Sequence, residues 1–349
     1  MPALAVADAL RAEGATASFL GARDRAEATL VPAAGYEIDL LRVRGLDRGN
    51  PVRAAGSAVL AAAAVPAARR ALRRRGADAV LGGGGYVAGP AGLAALMSGL
   101  PLVLSEADRH LGLTNRLLAR RARRVCLAFP IPGLQGDRYL VTGRPVPGAI
   151  GTVDRDAARR RFGIAPQDPC LLVFGGSQGA RSLNLAALDA FAGPGERGFH
   201  ILHISGSRDY PEARRRLDAA TDVPRYTVVE YEPGLADALA ACDLVLARAG
   251  GSIFELAAAR RPAILVPYPH GAGRHQHANA AWMADAGAAV VVEDSDLGAE
   301  RLASLAGELL GDPERLERMA RASAGLARPD AAERIAAEVL AAIGEPSQP

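Results

Sequence analysis

The sequence predicts an α/β protein made of two doubly wound parallel-sheet domains, Rossmann-like in layout, that face a cleft. Three observations carry this. Short apolar runs alternate with longer Ala/Leu/Arg segments of helical period along almost the whole chain, and continuous apolar strands separated by helices mark parallel sheets covered on both faces. At 349 residues the chain exceeds what a single hydrophobic core usually serves. Proline and glycine cluster in GRPVPGAIGTVD, residues 143–154, where a domain boundary is expected.

Taken in order, the chain opens on MPALAVADALRAEG, which has the period of a helix and carries Pro2 where a first turn tolerates it. A doubly wound domain ordinarily opens on a strand. The N-terminal domain, residues 1–146, is therefore expected to lack its first strand and the loop after it. Its strands are read at TASFLG, DAVLGG, PLVLSEA, RRVCLAFP and RYLVTG. The second domain, residues 147–326, is read with strands at CLLVFGG, HILHISG, YTVVEY, DLVLARAGG, PAILVPYP and AAVVVED. Residues 327–349 are expected to return to the first domain as a helix with a frayed tail.

Composition narrows the function classes. Half the residues are hydrophobic and 23% are charged, as in a soluble globular protein. All 41 basic residues are arginine, and the formal net charge is only +3, which makes no case for nucleic acid. Two local clusters remain: Arg69, Arg70, Arg73, Arg74 and Arg75, then Arg120, Arg121, Arg123 and Arg124. They fit solvated helix faces or an anionic membrane surface equally. Aromatic residues are too scarce beside them for base stacking. Cys126, Cys170 and Cys242 sit in apolar runs and read as buried thiols of a reducing cytoplasm. The apolar stretch from Ala54 to Ala68 is read as interrupted by Pro66 and is too short to span a bilayer. With no signal peptide read ahead of it, the protein is expected in the cytoplasm, free to lie against a membrane.

In parallel α/β sheets, ligands bind beyond the carboxyl ends of the strands. FGGSQGA ends such a strand: Gly175, Gly176 and Gly179 admit a phosphate to the backbone, the following helix offers free N–H groups, and Ser177 adds a hydroxyl. The motif is neither a P-loop nor a dinucleotide fingerprint, and a ligand-free tight turn is its plain alternative. LGGGGYVAGPAG, residues 81–92, repeats the pattern in the first domain. One glycine loop per domain favours a ligand bridging the cleft. ARAGGSIFELAAARRPAILVPYPHGAGRHQHANA, residues 247–280, is the densest polar stretch. There Glu255, early in a helix, can accept both hydroxyls of a ribose or merely complement the helix dipole. His270, His275 and His277 lack the spacing and companions of a zinc set, so no metal is expected. In SEADRHLGLTNR, residues 105–116, Glu106 and Asp108 are the close carboxylates at a sheet end. They can deprotonate a hydroxyl, although Asp108 can equally cap the next helix.

Together these stretches resemble the bacterial MurG-type glycosyltransferases. The likeness runs through GYEIDLLRVRGL, GGGGYVAGPAGLAA, GLTNRLLA, GGSQGARSLN, ELAAARRPAILVPYPH and ARPDAAERIA, nearly the full chain. It implies the two-Rossmann GT-B fold and transfer of N-acetylglucosamine from its UDP donor to lipid I, giving lipid II for peptidoglycan, at the cytoplasmic face of the membrane and without a cofactor. By the same resemblance, the donor site comprises Gly175, Gly176, Ser177, Gln178, Gly179, Glu232, Arg248, Gly250, Glu255, His275, Gln276 and Asn279. Within it Ser177 meets the diphosphate, Glu255 the ribose, Gln276 the sugar hydroxyls, and the backbone near Glu232 the uracil. Gly83, Gly84, Gly85, Tyr86 and Asn115 would hold the acceptor, and the segment from Pro51 to Arg75 would rest on the anionic leaflet.

The chain departs from the family in four places. It begins just after the family's opening strand and His-bearing glycine loop. SEAD stands for His-Glu-Gln-Asn, keeping only Glu106 and placing Asp108 where an asparagine would touch sugar. RPVP stands for Asn-Pro-Val-Arg, with Pro147 in place of an arginine, and one residue is deleted ahead of Glu255. Glu106 or Asp108 is then the remaining base for an inverting, single-displacement transfer. Rival readings on the same fold are a UDP-N-acetylglucosamine 2-epimerase, a transferase acting on another glycolipid, and a form that binds nucleotide sugar without turnover.

Overall fold

Three parallel sheets carry the described part of the fold. The computed structural model describes residues 2–45, 51–176, 180–193, 197–220, 223–233, 235–269 and 275–344, with the backbone alone for residues 51–54. The chain divides into two compact units, one of Met1–Val146 with Arg328–Pro349, the other of Pro147–Ala327.

In the first unit, α1 (Pro2–Ala12) leads into β1 (Ser18–Ala22), α2 (Glu27–Ala33) and β2 (Glu37–Leu41), and the two strands pair in parallel as a sheet of their own. Next come α3 (Pro51–Arg75), β3 (Val80–Gly82), α4 (Gly85–Met97), β4 (Leu102–Glu106), α5 (Leu113–Leu118), β5 (Arg124–Leu127) and β6 (Tyr139–Val141). Strands β3 to β6 form a second sheet in chain order. The same helices cover both sheets. Leu20 of β1, Leu41 of β2, Val80 of β3 and Leu104 of β4 pack with Val65, Ala68 and Leu72 of α3 and with Ala94 and Ala95 of α4. Val6 of α1 packs beside Val103 and Cys126, and its neighbour Ala7 beside Phe19 and Ile38.

Two sequence readings change here. EIDLL is a strand, β2, that the search for apolar runs passes over. Its two acids, Glu37 and Asp39, pair with Arg75 and Arg74 at the end of α3. Pro66 does not interrupt its segment, since α3 continues past it to Arg75. A proline inside a helix costs roughly 3 kcal/mol. Its ring is exposed, and burial of Val65, Ala68 and Leu72 offsets the missing hydrogen bond.

The second unit runs α6 (Arg155–Phe162), β7 (Cys170–Phe174), α7 (Arg181–Phe191), β8 (His200–Ile204), α8 (Tyr210–Ala219), β9 (Tyr226–Val229), α9 (Ala236–Ala241), β10 (Leu244–Ala247), α10 (Ile253–Ala258), β11 (Ala263–Leu265), α11 (His275–Asp285), β12 (Ala289–Val291), α12 (Ala299–Leu310) and α13 (Pro313–Leu326). Its six strands lie in the order β12-β11-β10-β7-β8-β9. The chain thus travels outward from β7 to β9, then returns to the other side of β7 and travels out again. Strand order reverses between β7 and β10, and a crevice opens at such a reversal, outside the carboxyl ends. β7, β8 and β10 are buried along their whole length. The amino ends of β7 and β10 are closed by Arg159, 2% exposed, which donates to the carbonyls of Ala165, Asp168 and Ala241. Chemistry is left to the other end. The last helix, α14 (Ala331–Gly344), packs on α1, β4 and β5 of the first unit.

Two histidines are enclosed in this second unit. Burial pushes both His200 and His203 down to about 4, so the folded state holds them neutral. An unfolded histidine protonates near pH 6.5. Below that pH the unfolded chain binds more protons than the native one, so stability falls as pH drops from about 6.5 towards 4. The loss should be on the order of 1 kcal/mol per pH unit for each histidine. Urea unfolding at pH 7 and pH 5 measures it, and His200→Gln should make the curve shallower in that window.

Candidate active site

β7 ends at Phe174, and Gly175 and Gly176 follow directly. Gly176 has φ +87, a left-handed conformation that side chains disfavour, so the chain can turn sharply off the sheet. Ser177, Gln178 and Gly179 lie outside the described residues. The chain is again described from Ala180, and α7 starts at Arg181 with its amino end beside the strand-order reversal.

Arg248, which follows β10, braces this corner. It is 11% exposed along its side chain and meets Asp294 at 2.7 Å. It also donates to the hydroxyl of Ser182, in the first turn of α7, at 2.6 Å. Ser182 in turn donates to the same Asp294 oxygen at 2.8 Å. Further bonds run from Arg248 to the carbonyls of Val266 and Pro267, and its guanidinium lies 5.4 Å from the Tyr268 ring centroid. One arginine thereby ties the loops after β7, β10, β11 and β12 together. The sequence reading placed Arg248 among donor ligands, and the structure engages it as the strut between the loops.

The other residues expected at the donor site lie at several points of the same unit. Gln276 opens α11 and accepts from the Tyr268 amide at 2.9 Å, leaving its NH₂ to donate. Asn279, buried, holds the carbonyl of Ala249 at 3.0 Å and so fixes the turn that carries Gly250. A side chain built at Gly250 would meet nothing within 4 Å, so the turn is open to an approaching group. His275 is half-buried at the start of α11, and His277 faces Glu293 at 3.2 Å. Glu255 is half-buried in α10. The carboxylate of Glu232 receives both arms of Arg161, at 2.7 and 2.8 Å, so any ligand there meets backbone. Among the described residues no three His, Cys, Asp or Glu side chains gather as a metal site. Ser182, Asp294 and Arg161 went unnoticed in the sequence. Only Asp294 had a visible signal, as an acid closing the apolar run AAVVVED.

The first unit builds a second constellation at the carboxyl ends of β3 and β4. Gly84 and Gly85 have φ +78 and +73 and turn β3 into α4, with Gly83 exposed before them and Tyr86 in the first turn. The guanidinium of Arg25 lies 5.6 Å from the Tyr86 ring centroid. Glu106, the last residue of β4, is 6% exposed. It accepts from the amides of Asp108 at 3.1 Å and Gly112 at 2.8 Å, and from Asn115 Nδ2 at 2.9 Å. It is the anchor of its loop, and Asp108 is the more accessible of the two acids. Asn115 Nδ2 also donates to the Ser105 carbonyl at 3.0 Å. Both partners are pure acceptors, which fixes the amide orientation. Asn115 Oδ1 is left buried without a partner.

Residues 1–127 match the glycosyltransferase family 28 N-terminal domain, and residues 170–335 its C-terminal domain. The UDP-N-acetylglucosamine–N-acetylmuramyl-(pentapeptide) pyrophosphoryl-undecaprenol N-acetylglucosamine transferase of Moorella thermoacetica is 40% identical over 350 aligned positions, covering 97% of this chain and 94% of that protein. This chain belongs to the MurG family. The crystal structure of Acinetobacter baumannii MurG matches with a TM-score of 0.74 at 30% identity, over 97% of this chain and 95% of that one. The MurG assignment bears out the expected two-domain α/β class and makes the chain a glycosyltransferase. The UDP-GlcNAc 2-epimerase of Neisseria meningitidis, solved with UDP-GlcNAc bound, has a TM-score of 0.69 at 15% identity over 97% and 96% of the two chains. That is a likeness of fold alone.

Removing Asp294 leaves Arg248 enclosed without its counter-charge. Asp294→Ala should lower unfolding stability by about 2 kcal/mol, read by urea denaturation, and Asp294→Asn, which keeps an oxygen for Ser182, by clearly less. Equal losses would mean that the charge is immaterial.

Proposed function

We propose that this chain transfers N-acetylglucosamine from UDP-N-acetylglucosamine to lipid I, forming lipid II. The observation that carries the proposal is the glycine turn feeding an 11-residue helix at the reversal of strand order, in a chain 40% identical to a transferase of that name. The donor lies across the second unit. Gly175, Gly176, Ser177, Gln178, Gly179 and the first amides of α7 receive the diphosphate. Glu255 holds the ribose, Gln276 the sugar hydroxyls, and the backbone at Glu232 the uracil. Gly250, His275 and Asn279 complete the wall that Arg248 braces.

The first unit holds the acceptor through Gly83, Gly84, Gly85, Tyr86 and Asn115. Asn115 Oδ1 is an obligate acceptor enclosed without a donor, and an acceptor hydroxyl or amide N–H supplies one. In one displacement, the acceptor's 4-hydroxyl oxygen bonds to the anomeric carbon as the bond to the diphosphate oxygen breaks. UDP departs with the electron pair, inverting the carbon. The helix end and its N–H groups stabilise the charge that develops on the leaving group. Asp108 takes the hydroxyl proton, because the oxygens of Glu106 are already occupied by three donors.

Acceptor-dependent UDP release from UDP-N-acetylglucosamine and a lipid I analogue is the direct assay. Asp108→Asn should lower kcat by about 10²- to 10³-fold with little change in donor KM. Release with no requirement for acceptor, or epimerised UDP-sugar, would overturn the assignment.

The same reading places the enzyme on the cytoplasmic leaflet. Among the described residues no helix is long and apolar enough to cross a membrane. Large apolar side chains are nevertheless exposed on three packed helices: Val59 and Leu60 on α3, Leu93 and Met97 on α4, Leu113 and Leu117 on α5. Exposed Arg70, Arg73, Arg120 and Arg121 accompany them, a combination suited to anionic headgroups. The alanine-rich α3 thus shares the contact with α4 and α5. Leu93→Glu with Leu117→Glu should reduce co-sedimentation with phosphatidylglycerol vesicles and leave turnover of a short-chain soluble acceptor intact.

A further inference from the structure

A buried polar chain in the second unit runs from Tyr226 through His203 and Asn184 to Asp209. Asn184, 1% exposed and one turn into α7, donates through Nδ2 to the Ser205 carbonyl and to Asp209 Oδ2, each at 2.8 Å. Both partners only accept, so the amide has one orientation and Oδ1 must accept as well. It faces His203 Nε2 at 3.0 Å, which therefore carries a proton. His203 is fully buried and neutral, so its Nδ1 is bare and accepts from the Tyr226 hydroxyl at 2.8 Å. Every proton is thereby assigned: Tyr226 donates to His203, His203 to Asn184, and Asn184 to Asp209. The relay ends on a carboxylate with a side chain 4% exposed, which receives Arg181 at 3.0 Å and Arg208 at 3.3 and 3.4 Å.

Arg181 is an odd residue to secure so thoroughly. It is the first residue of α7, where a cation opposes the helix dipole. Its side chain is 57% exposed, and an exposed ion pair by itself contributes little. It stands two positions after Gly179, beside the glycine turn. A guanidinium has five donors, so one bond to Asp209 leaves it able to grip a second anion. We propose that Arg181 contacts the diphosphate of the nucleotide-sugar donor, and that Asp209, Asn184 and His203 are positioning residues that hold its guanidinium at the amino end of α7. The proposal rests on the reading that the donor lies at that helix. As the glycosidic bond breaks, the diphosphate gains a negative charge, and a cation already fixed in place need not be reorganised to meet it.

Calorimetry on the full chain with UDP and with uridine tests this, because the two ligands differ only in the diphosphate. Arg181→Ala should weaken UDP about tenfold or more while leaving uridine unchanged, with Arg181→Lys recovering part of the loss. Asp209→Asn should weaken UDP in the same selective manner and raise donor KM more than it lowers kcat. The unchanged uridine affinity shows that the variants remain folded. Equal weakening of both ligands, or of neither, overturns the role of Arg181 and its relay. Wild-type protein that binds uridine but gains nothing from the diphosphate would instead remove the donor placement at α7.

Discussion

A parallel sheet covered on both faces has nowhere to put its chemistry except beyond the ends of its strands. Here the amino ends are sealed, with Arg159 filling the carbonyls around β7 and β10. The carboxyl ends are where the strand order reverses and where the glycine turn meets α7. The rest of the second unit follows from that asymmetry. Arg248, Ser182 and Asp294 make the open end rigid, and the Asn279 bond to Ala249 fixes the next turn along. The anion site proposed there would need this stiffness, since amide dipoles stabilise charge only if they are already aimed.

The backbone was legible from the sequence because its signals are local. Runs such as CLLVF and LVLA are apolar throughout, as strands buried on both faces must be. EIDLL failed the same criterion for a physical reason. β2 lies in a two-stranded sheet whose outward positions, Glu37 and Asp39, pair with arginines from α3, so it alternates where the central strands do not. Pro66 misled in the opposite direction, because a local rule about proline ignores what tertiary packing on α4 can offset.

The side chains were legible only as types. The family resemblance nominates Arg248 and Glu232 as donor ligands, and Glu106 is nominated as a base by its place at a strand end. Each already has partners from elsewhere in the chain: Asp294 and Ser182 for Arg248, Arg161 for Glu232, Gly112 and Asn115 for Glu106. Those partners are 6 to 71 residues away in the sequence, and no spacing rule points to them. A charged residue expected at a ligand site can belong to the frame instead of the contact, and its partners show which bonds it already makes.

Two asparagines show how that separation works. Asn184 and Asn115 lie near the amino ends of α7 and α5, and each uses Nδ2 on a carboxylate and a main-chain carbonyl. In both, the arrangement converts Oδ1 into an acceptor that cannot be turned away. In the second unit His203 meets it, and the chain of donors is closed within the protein. In the first unit nothing among the described residues meets it. An enclosed acceptor without a donor is destabilising by about 1–3 kcal/mol, and the acceptor proposed for this unit would supply the missing donor. The closed chain at Asn184 is scaffolding, and the open end at Asn115 is the feature on which the proposed acceptor site rests.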